Sequence, residues 1–272
     1  IAMNQPEIAF DLDTRLDFTR IFDIVAYGHI HHANLQDLNL TERNIELSSQ
    51  LDIDMTMFPI DSLNGYARIN DLELNRDDTV MYNMNVITFD TRSWGDNFKD
   101  WRLVSDILSV DIDGQFNMQN ILGTTYEIVA TRHPRFIQYL PDWDLDPDTI
   151  YNNDFTMIVN VNDTEEFANL INNQLDTIRN LNLSLTYRNR GADYFEYYFQ
   201  ASAPKIQFKD LDVESLNINA SGSNTDNEWI VYLDTLNAGG IQVGSSQIHT
   251  TLVGDQLDFS VETNTINNIL NN

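Results

Sequence analysis

The chain contains no cysteine. That absence removes disulfide staples, thiol catalysis and thiolate metal sites together. It names no compartment, because cytosolic and many periplasmic proteins manage without the residue. Basic side chains are also scarce: fifteen Lys and Arg stand against forty-two Asp and Glu, leaving a formal charge of −27. A field of that sign repels a nucleic-acid backbone or an anionic membrane surface, so no nucleic-acid partner is expected. It suits an acidic exterior that keeps an apolar-rich β protein in solution. No run approaches the ~18 apolar residues of a membrane-spanning helix, and nothing at the start reads as a signal peptide. The opening Ile-Ala-Met suggests a fragment, so any anchor of a parent protein is expected outside these 272 residues. There is no linker, no low-complexity tract and no composition break, and the expectation is one elongated domain over residues 1–272.

What the chain does have is alternation. Ile8, Phe10, Leu12, Leu16 and Phe18 recur at period two, as do Ile24, Ala26, Gly28 and Ile30. The same period runs through Leu51, Ile53 and Met55, and through Leu63, Gly65, Ala67 and Ile69. Near the middle, Leu108, Val110, Ile112, Gly114 and Phe116 fall on one side of a strand, with Ser109, Asp111, Asp113 and Gln115 on the other. Phe155, Met157, Val159 and Val161 form an unusually clean strand, followed by Leu181, Leu183, Leu185 and Tyr187. Phe195 to Phe208, Leu216 with Ile218, and Leu257 with Phe259 continue the pattern to the end. Strict alternation is the mark of a strand with one buried face, and turn residues separate these runs at antiparallel spacing. A weak echo, ANLQDLNL at Ala33, RINDLELN at Arg68 and FKDLDVESLNI at Phe208, lacks the fixed period of a true repeat.

Two stretches change period. Ile121, Leu122, Thr125, Ile128 and Val129 recur at three- and four-residue spacing, which predicts a helical insert over about 118–140, ended or kinked by Pro134. Thr164 before Glu165 and Glu166 predicts a capped helix over 164–178. Two helices cannot cover the apolar face of so many strands. Either the sheet closes on itself as a sandwich, barrel or solenoid, or it curls into a trough filled by something apolar.

Candidate chemistry is thin. His29 and His31 share a strand face beside His32, a spacing some zinc sites use, but no acid or further histidine is near in sequence. They read as surface histidines. Asp142, Asp144, Asp146 and Asp148 alternate like the start of a calcium loop, yet Pro147 and Asn153 stand where an EF-hand needs glycine and glutamate. Trp94, Trp101, Trp143 and Trp229 are scattered, so no acid pair sits in a distinctive aromatic setting of a glycosidase. There is no GxGxxG, no P-loop and no nucleophile context. The expectation is a non-enzyme without cofactor or metal.

The run SDILSVDIDGQF, followed by the amphipathic stretch closing in FIQYLP, resembles the TamB-like branch of the AsmA superfamily in its Bacteroidetes-type version. The resemblance rests on the apolar spacing together with Ser105, Asp106, Gly114 and Phe116. It implies a mainly β fold: an elongated, strongly curved sheet, the β-taco, with a hydrophobic groove and one or two short helical inserts. It further implies that the groove binds phospholipid acyl chains and conducts them between inner and outer membranes in the periplasm. The parent protein would be anchored in the inner membrane and would meet an outer-membrane barrel of the BamA or TamA kind. The groove residues so implied are Leu51, Ile53, Met55, Leu108, Val110, Ile112, Phe116, Phe155, Met157, Val159, Val161, Leu183, Leu185, Phe208, Leu216, Ile218, Leu257 and Phe259. The readings set against it are a structural or adhesive β-rich surface protein with a packed interior, and a polysaccharide-active β-solenoid enzyme.

Overall fold

Among the described residues each alternating run builds a strand, and these strands join one sheet. The computed structural model describes residues 2–5, 7–17, 22–41, 44–57, 62–76, 79–94, 98–117, 153–165, 175–189, 194–208, 211–254 and 256–264. In chain order the strands are β1 (Ala2–Asn4), β2 (Ile8–Asp17), β3 (Phe22–Asn34), β4 (Ile45–Met57), β5 (Asn64–Arg76), β6 (Thr79–Trp94), β7 (Phe98–Val104), β8 (Leu108–Gln115) and β9 (Asp154–Asp163). They continue as β10 (Leu175–Asn189), β11 (Phe195–Phe208), β12 (Leu211–Ser223), β13 (Asp226–Leu233), β14 (Thr235–Ala238), β15 (Ile241–Val243), β16 (Ser246–Val253) and β17 (Gln256–Thr263). All pairings are antiparallel, and from β1 to β12 each strand pairs with the next in sequence. Beyond β12 the sheet forks: β13 takes Asn217–Gly222 and leads to β16 and β17, while β14 takes Leu211–Glu214 and leads to β15. The result is one open, curved sheet of seventeen strands. The mainly β, elongated and curved architecture expected from the sequence is the one observed.

Curvature has local causes. Gly65 and Gly114 lie on the apolar side with φ of +127° and +141°, a region closed to side chains. A Cβ at Gly65 would stand 2.0 Å from the carbonyl oxygen of Asp54, and one at Gly114 would stand 2.2 Å from that of Asp154. These glycine kinks let neighbouring backbones press together, the device by which a sheet bends. Farther along, the ladders on both sides of Pro204 skip it, because proline has no N–H to give. Asn180 and Ser215 flank the gap on β10 and β12 with φ of +47° and +54°. The same side-chain bond holds each in place: the Asn182 amide donates to the Asn180 carbonyl (3.0 Å), and the Asn217 amide to that of Ser215 (3.3 Å).

Two cores lie toward opposite rims. One joins Ile45, Leu72, Leu74, Tyr82 and Met84 on β4, β5 and β6. The other joins Ile112, Phe116, Phe155, Tyr187, Phe195, Tyr197 and Ala220 across β8 to β12. In the second, aromatic rings meet in series: Phe116 on Phe155 (6.1 Å between centroids), Phe155 on Tyr187 (6.0 Å) and Tyr187 on Phe195 (5.9 Å).

The predicted helical insert over 118–140 lies outside the described residues, as do Asp142–Asp148 and Trp143. The insert predicted over 164–178 is corrected at its end: Leu175–Ile178 belongs to β10, where Ile178 is the ladder partner of Ile206. An isolated apolar residue after a polar stretch fits either period, and pairing decides. Glu165 begins a helix where the sequence predicts one; Asp163 accepts its N–H at 2.9 Å, and the Thr164 hydroxyl accepts the Ile178 N–H at 3.0 Å. Residues 166–174 lie outside the description.

Candidate functional site

Residues that are partners in an antiparallel ladder carry their side chains on the same face. The ladders can therefore be followed sideways across the sheet. Starting at Val110, one direction leads through Leu103, Phe89, Ala67, Ile53 and Ala26 to Thr14. The other leads through Val159, Leu183, Ala201, Ile218, Val231 and Ile248 to Val261. This is a single row across fourteen strands, apolar at every position but the first. A second row beside it contains Leu16, Ile24, Met55, Gly65, Thr91, Trp101, Ile112, Met157, Leu185, Phe199, Ala220, Trp229, Thr250 and Phe259.

The opposite face is mostly polar along its equivalent row, where Asp13, Asp52, Arg68, Thr88, Ser109, Asn160, Asn182, Ser202 and Asn217 fall, interrupted by Tyr27 and Val104. One face is thus made for water and the other is not.

Most of the first row is half-buried: Ile53, Phe89, Leu103, Val110, Val159, Leu183, Ile218, Val231 and Ile248 are neither sealed nor free. The predicted residues divide on this basis. Leu51, Ile53, Met55, Leu108, Val110, Met157, Val159, Val161, Leu183, Leu185, Leu216 and Ile218 line the half-open wall. Ile112, Phe116 and Phe155 are sealed in the aromatic core, with Phe116 only 1 % exposed. Phe208, Leu257 and Phe259 stand exposed toward strand ends or at the sheet's edge.

Several wall residues are not among the predicted groove residues: Ala67, Phe89, Trp101, Leu103, Phe199, Ala201 and Trp229. Each lies in register with a predicted residue, so the missing information was pairing, not period.

Polar groups touch the apolar side at a few points. Lys99, the ladder partner of Gly114, is 2 % exposed; its ammonium donates to the Phe116 carbonyl at 2.5 Å and lies 5.3 Å from the Phe116 ring centroid. Nothing in the alternation announces a buried lysine there. The Trp101 indole N–H, between Phe89 and Phe116, is buried with no acceptor among the described residues.

The four residues that carry the family resemblance all have structural roles. Ser105 Oγ accepts the Leu108 N–H at 3.1 Å and closes the β7–β8 turn. The Asp106 carboxylate accepts from both the backbone and the side-chain amide of Asn85 (2.9 and 3.1 Å). Gly114 kinks β8, and Phe116 fills the core.

On the polar face, His29 and His31 are exposed and their rings stack 6.2 Å apart. Among the described residues, no group of three His, Cys, Asp or Glu side chains is placed to hold a metal. Titration is perturbed at the surface. Hydrogen bonds from Tyr232 and then Ser215 hold the Asp234 carboxyl below the ordinary carboxylate range, and the hydrogen bond to Asp52 raises the Tyr66 phenol. No helix among the described residues is long and apolar enough to cross a membrane. No known protein family, no curated protein and no solved structure matches the chain.

Proposed function

We infer that this chain is a segment of a TamB-like envelope protein that binds phospholipid acyl chains along its apolar face and conducts them between inner and outer membranes. One observation carries the reading: the first apolar row crosses fourteen strands of the sheet, and most of it stays half open to solvent. Contiguous exposed apolar surface marks an interaction site, whereas single exposed residues need no explanation. Thirteen strand intervals of ~4.8 Å give the row a contour of about 60 Å. That is about four times the ~15 Å of hydrocarbon in one leaflet, half of a ~30 Å bilayer core. The wall therefore offers length for several tails in succession.

Each methylene moved from water onto such a wall contributes ~0.8 kcal/mol, whatever its position along the tail. A conduit of this kind asks for no special side chain. The methionines at positions 55 and 157 suit it, because a thioether adapts to irregular contents. A lipid ester oxygen is an acceptor of the sort that the Trp101 indole lacks. In this reading the segment lies in the periplasm. Parts of the parent protein outside these residues anchor it in the inner membrane and meet an outer-membrane barrel of the BamA or TamA kind.

Native mass spectrometry of the purified chain, with lipid extraction and chromatography, tests the proposal. Co-purifying phospholipid, displaced by added brominated lipid with quenching of tryptophan fluorescence, is the expected result. A chain that carries no lipid and takes up none from vesicles overturns it.

A further inference from the structure

The polar face changes character half-way across the sheet. One of its rows runs through Asp54, Tyr66, Asp90, Arg102 and Asp111 on β4 to β8, charged at four of five positions. The same row continues through Ile158, Ser184, Gln200, Asn219 and Ile230 on β9 to β13 with no charge at all. The rows on either side behave alike there. Asn160, Asn182, Ser202, Asn217 and Tyr232 form one, and Thr156, Thr186, Tyr198, Ser221 and Glu228 the other. Of these fifteen positions only Glu228 carries charge, and it lies 2.9 Å from a ring nitrogen of His249. In a chain with forty-two acids and fifteen bases, this field is instead built of amides, hydroxyls and rings.

The field also has relief and unused hydrogen-bonding groups. A groove of about 330 Å³ runs between Asn160, Asn182, Gln200 and Asn219, and a hollow of about 200 Å³ beside Tyr198 shares Gln200 and Asn219 with it. The side chains of Ser184, Gln200, Ser202 and Asn219 have no hydrogen-bond partner among the described residues. The Asn182 and Asn217 amides are clipped to the backbone through their N–H groups, which fixes them and leaves their oxygens able to accept. Apolar surface is interleaved with these groups: Tyr198 is 52 %, Ile158 42 % and Tyr232 37 % exposed.

We propose that this field binds a neutral oligosaccharide, laid across β9 to β13 on the face away from the apolar wall. A sugar chain has the matching chemistry. Its hydroxyls donate and accept as amide and hydroxyl side chains do, and its C–H faces rest on tyrosine rings, which offer large contact area at little entropic cost. An uncharged ligand cannot repay the desolvation of an ionised side chain, so it suits the charge-free half of the face and not the acidic half. A net charge of −27 disfavours anionic sugars. Neighbouring strands stand ~4.8 Å apart, close to the length of one pyranose unit, so successive sugars each meet a new strand. Amides already held in place keep the ordering cost low. The site lies on the other face from the lipid wall, so the two readings fail separately.

Isothermal titration calorimetry with cellohexaose, laminarihexaose, maltohexaose and mannohexaose tests it, with hexagalacturonate as the charged comparison. At least one neutral hexasaccharide is expected to bind, and hexagalacturonate is not. Tyr198→Ala, and Gln200→Ala combined with Asn219→Ala, are each expected to weaken binding at least tenfold. Gln200→Glu is expected to do the same by setting an unpaired charge under the sugar. These three side chains are exposed, so the variants keep the fold, which urea denaturation checks. The proposal is overturned if none of the four neutral sugars binds, if hexagalacturonate binds as well as they do, or if the variants bind like the unaltered chain. Self-association that Gln200→Glu breaks, without sugar binding, would give the face to a second copy and overturn it as well.

Discussion

The ring of Tyr197 lies against Gly222 on the neighbouring strand, where a Cβ would stand 2.8 Å from the ring carbon Cε1. The phenol hydroxyl donates to the side-chain oxygen of Asn227, itself 4 % exposed. Glycine, aromatic ring and amide thus interlock at one rim. Gly222→Val is expected to displace the ring and destabilise the chain by about 1–3 kcal/mol. Tyr197→Phe keeps the ring but removes the donor to a buried acceptor, a cost of about 1–3 kcal/mol. Urea denaturation measures both.

The wall and the rim should respond differently. Phe116 is sealed among Trp101, Phe155 and the Lys99 ammonium, and Phe116→Ala is expected to cost about 3–5 kcal/mol of stability. Val110 and Val159 are ladder partners on the half-open wall. Val110→Asp or Val159→Asp is expected to lower co-purifying lipid severalfold while the protein still folds, checked by circular dichroism and lipid quantitation. Aggregation of both variants would mark these positions as packed core.

The kinks should not tolerate side chains. Gly65→Ala and Gly114→Ala each force a Cβ onto a neighbouring carbonyl at an unfavourable φ, at about 1–3 kcal/mol apiece. Small-angle scattering should also register a flatter particle for either variant that remains folded.

Acid should loosen one turn in particular. Asp234 ties the β13–β14 turn to the Ser215 kink, and its N–H bonds the Glu214 carbonyl at 3.0 Å. Its folded pKa lies below the unfolded value, so its contribution is complete above the unfolded pKa of ~3.9 and is lost as pH falls through the folded value. Protonating the other carboxylates meanwhile relieves the chain's net charge, which acts in the opposite direction. The readout must therefore be local: amide exchange at residues 214–216 and 234 should quicken below that range, and Asp234→Asn should abolish the pH dependence there.

Much of the strand content was readable in advance. Phe155, Met157, Val159 and Val161 alternate, and their strand presents them together to one side. Ser105, Asp106, Gly114 and Phe116 were singled out as a motif, and all four turn, kink or pack the chain as a unit. Where the reading failed, a neighbour was missing from it. Ile178 looked like the end of a helix until Ile206 paired with it, and Lys99 sits on the apolar side because Gly114 leaves the space across the ladder.

The amino-acid order alone therefore determined which side of each strand is oily, since a period of two is a property of the strand by itself. It also determined that the outer surface is acidic. Tertiary structure decided which strands stand side by side, and hence that thirteen separate apolar positions line up as one row. Register depends on turn lengths, kinks and bulges between distant partners, and no local period encodes it. Whether that face would be sealed or left half open was decided in the same way, by how sharply the glycines and the skipped proline bend the sheet.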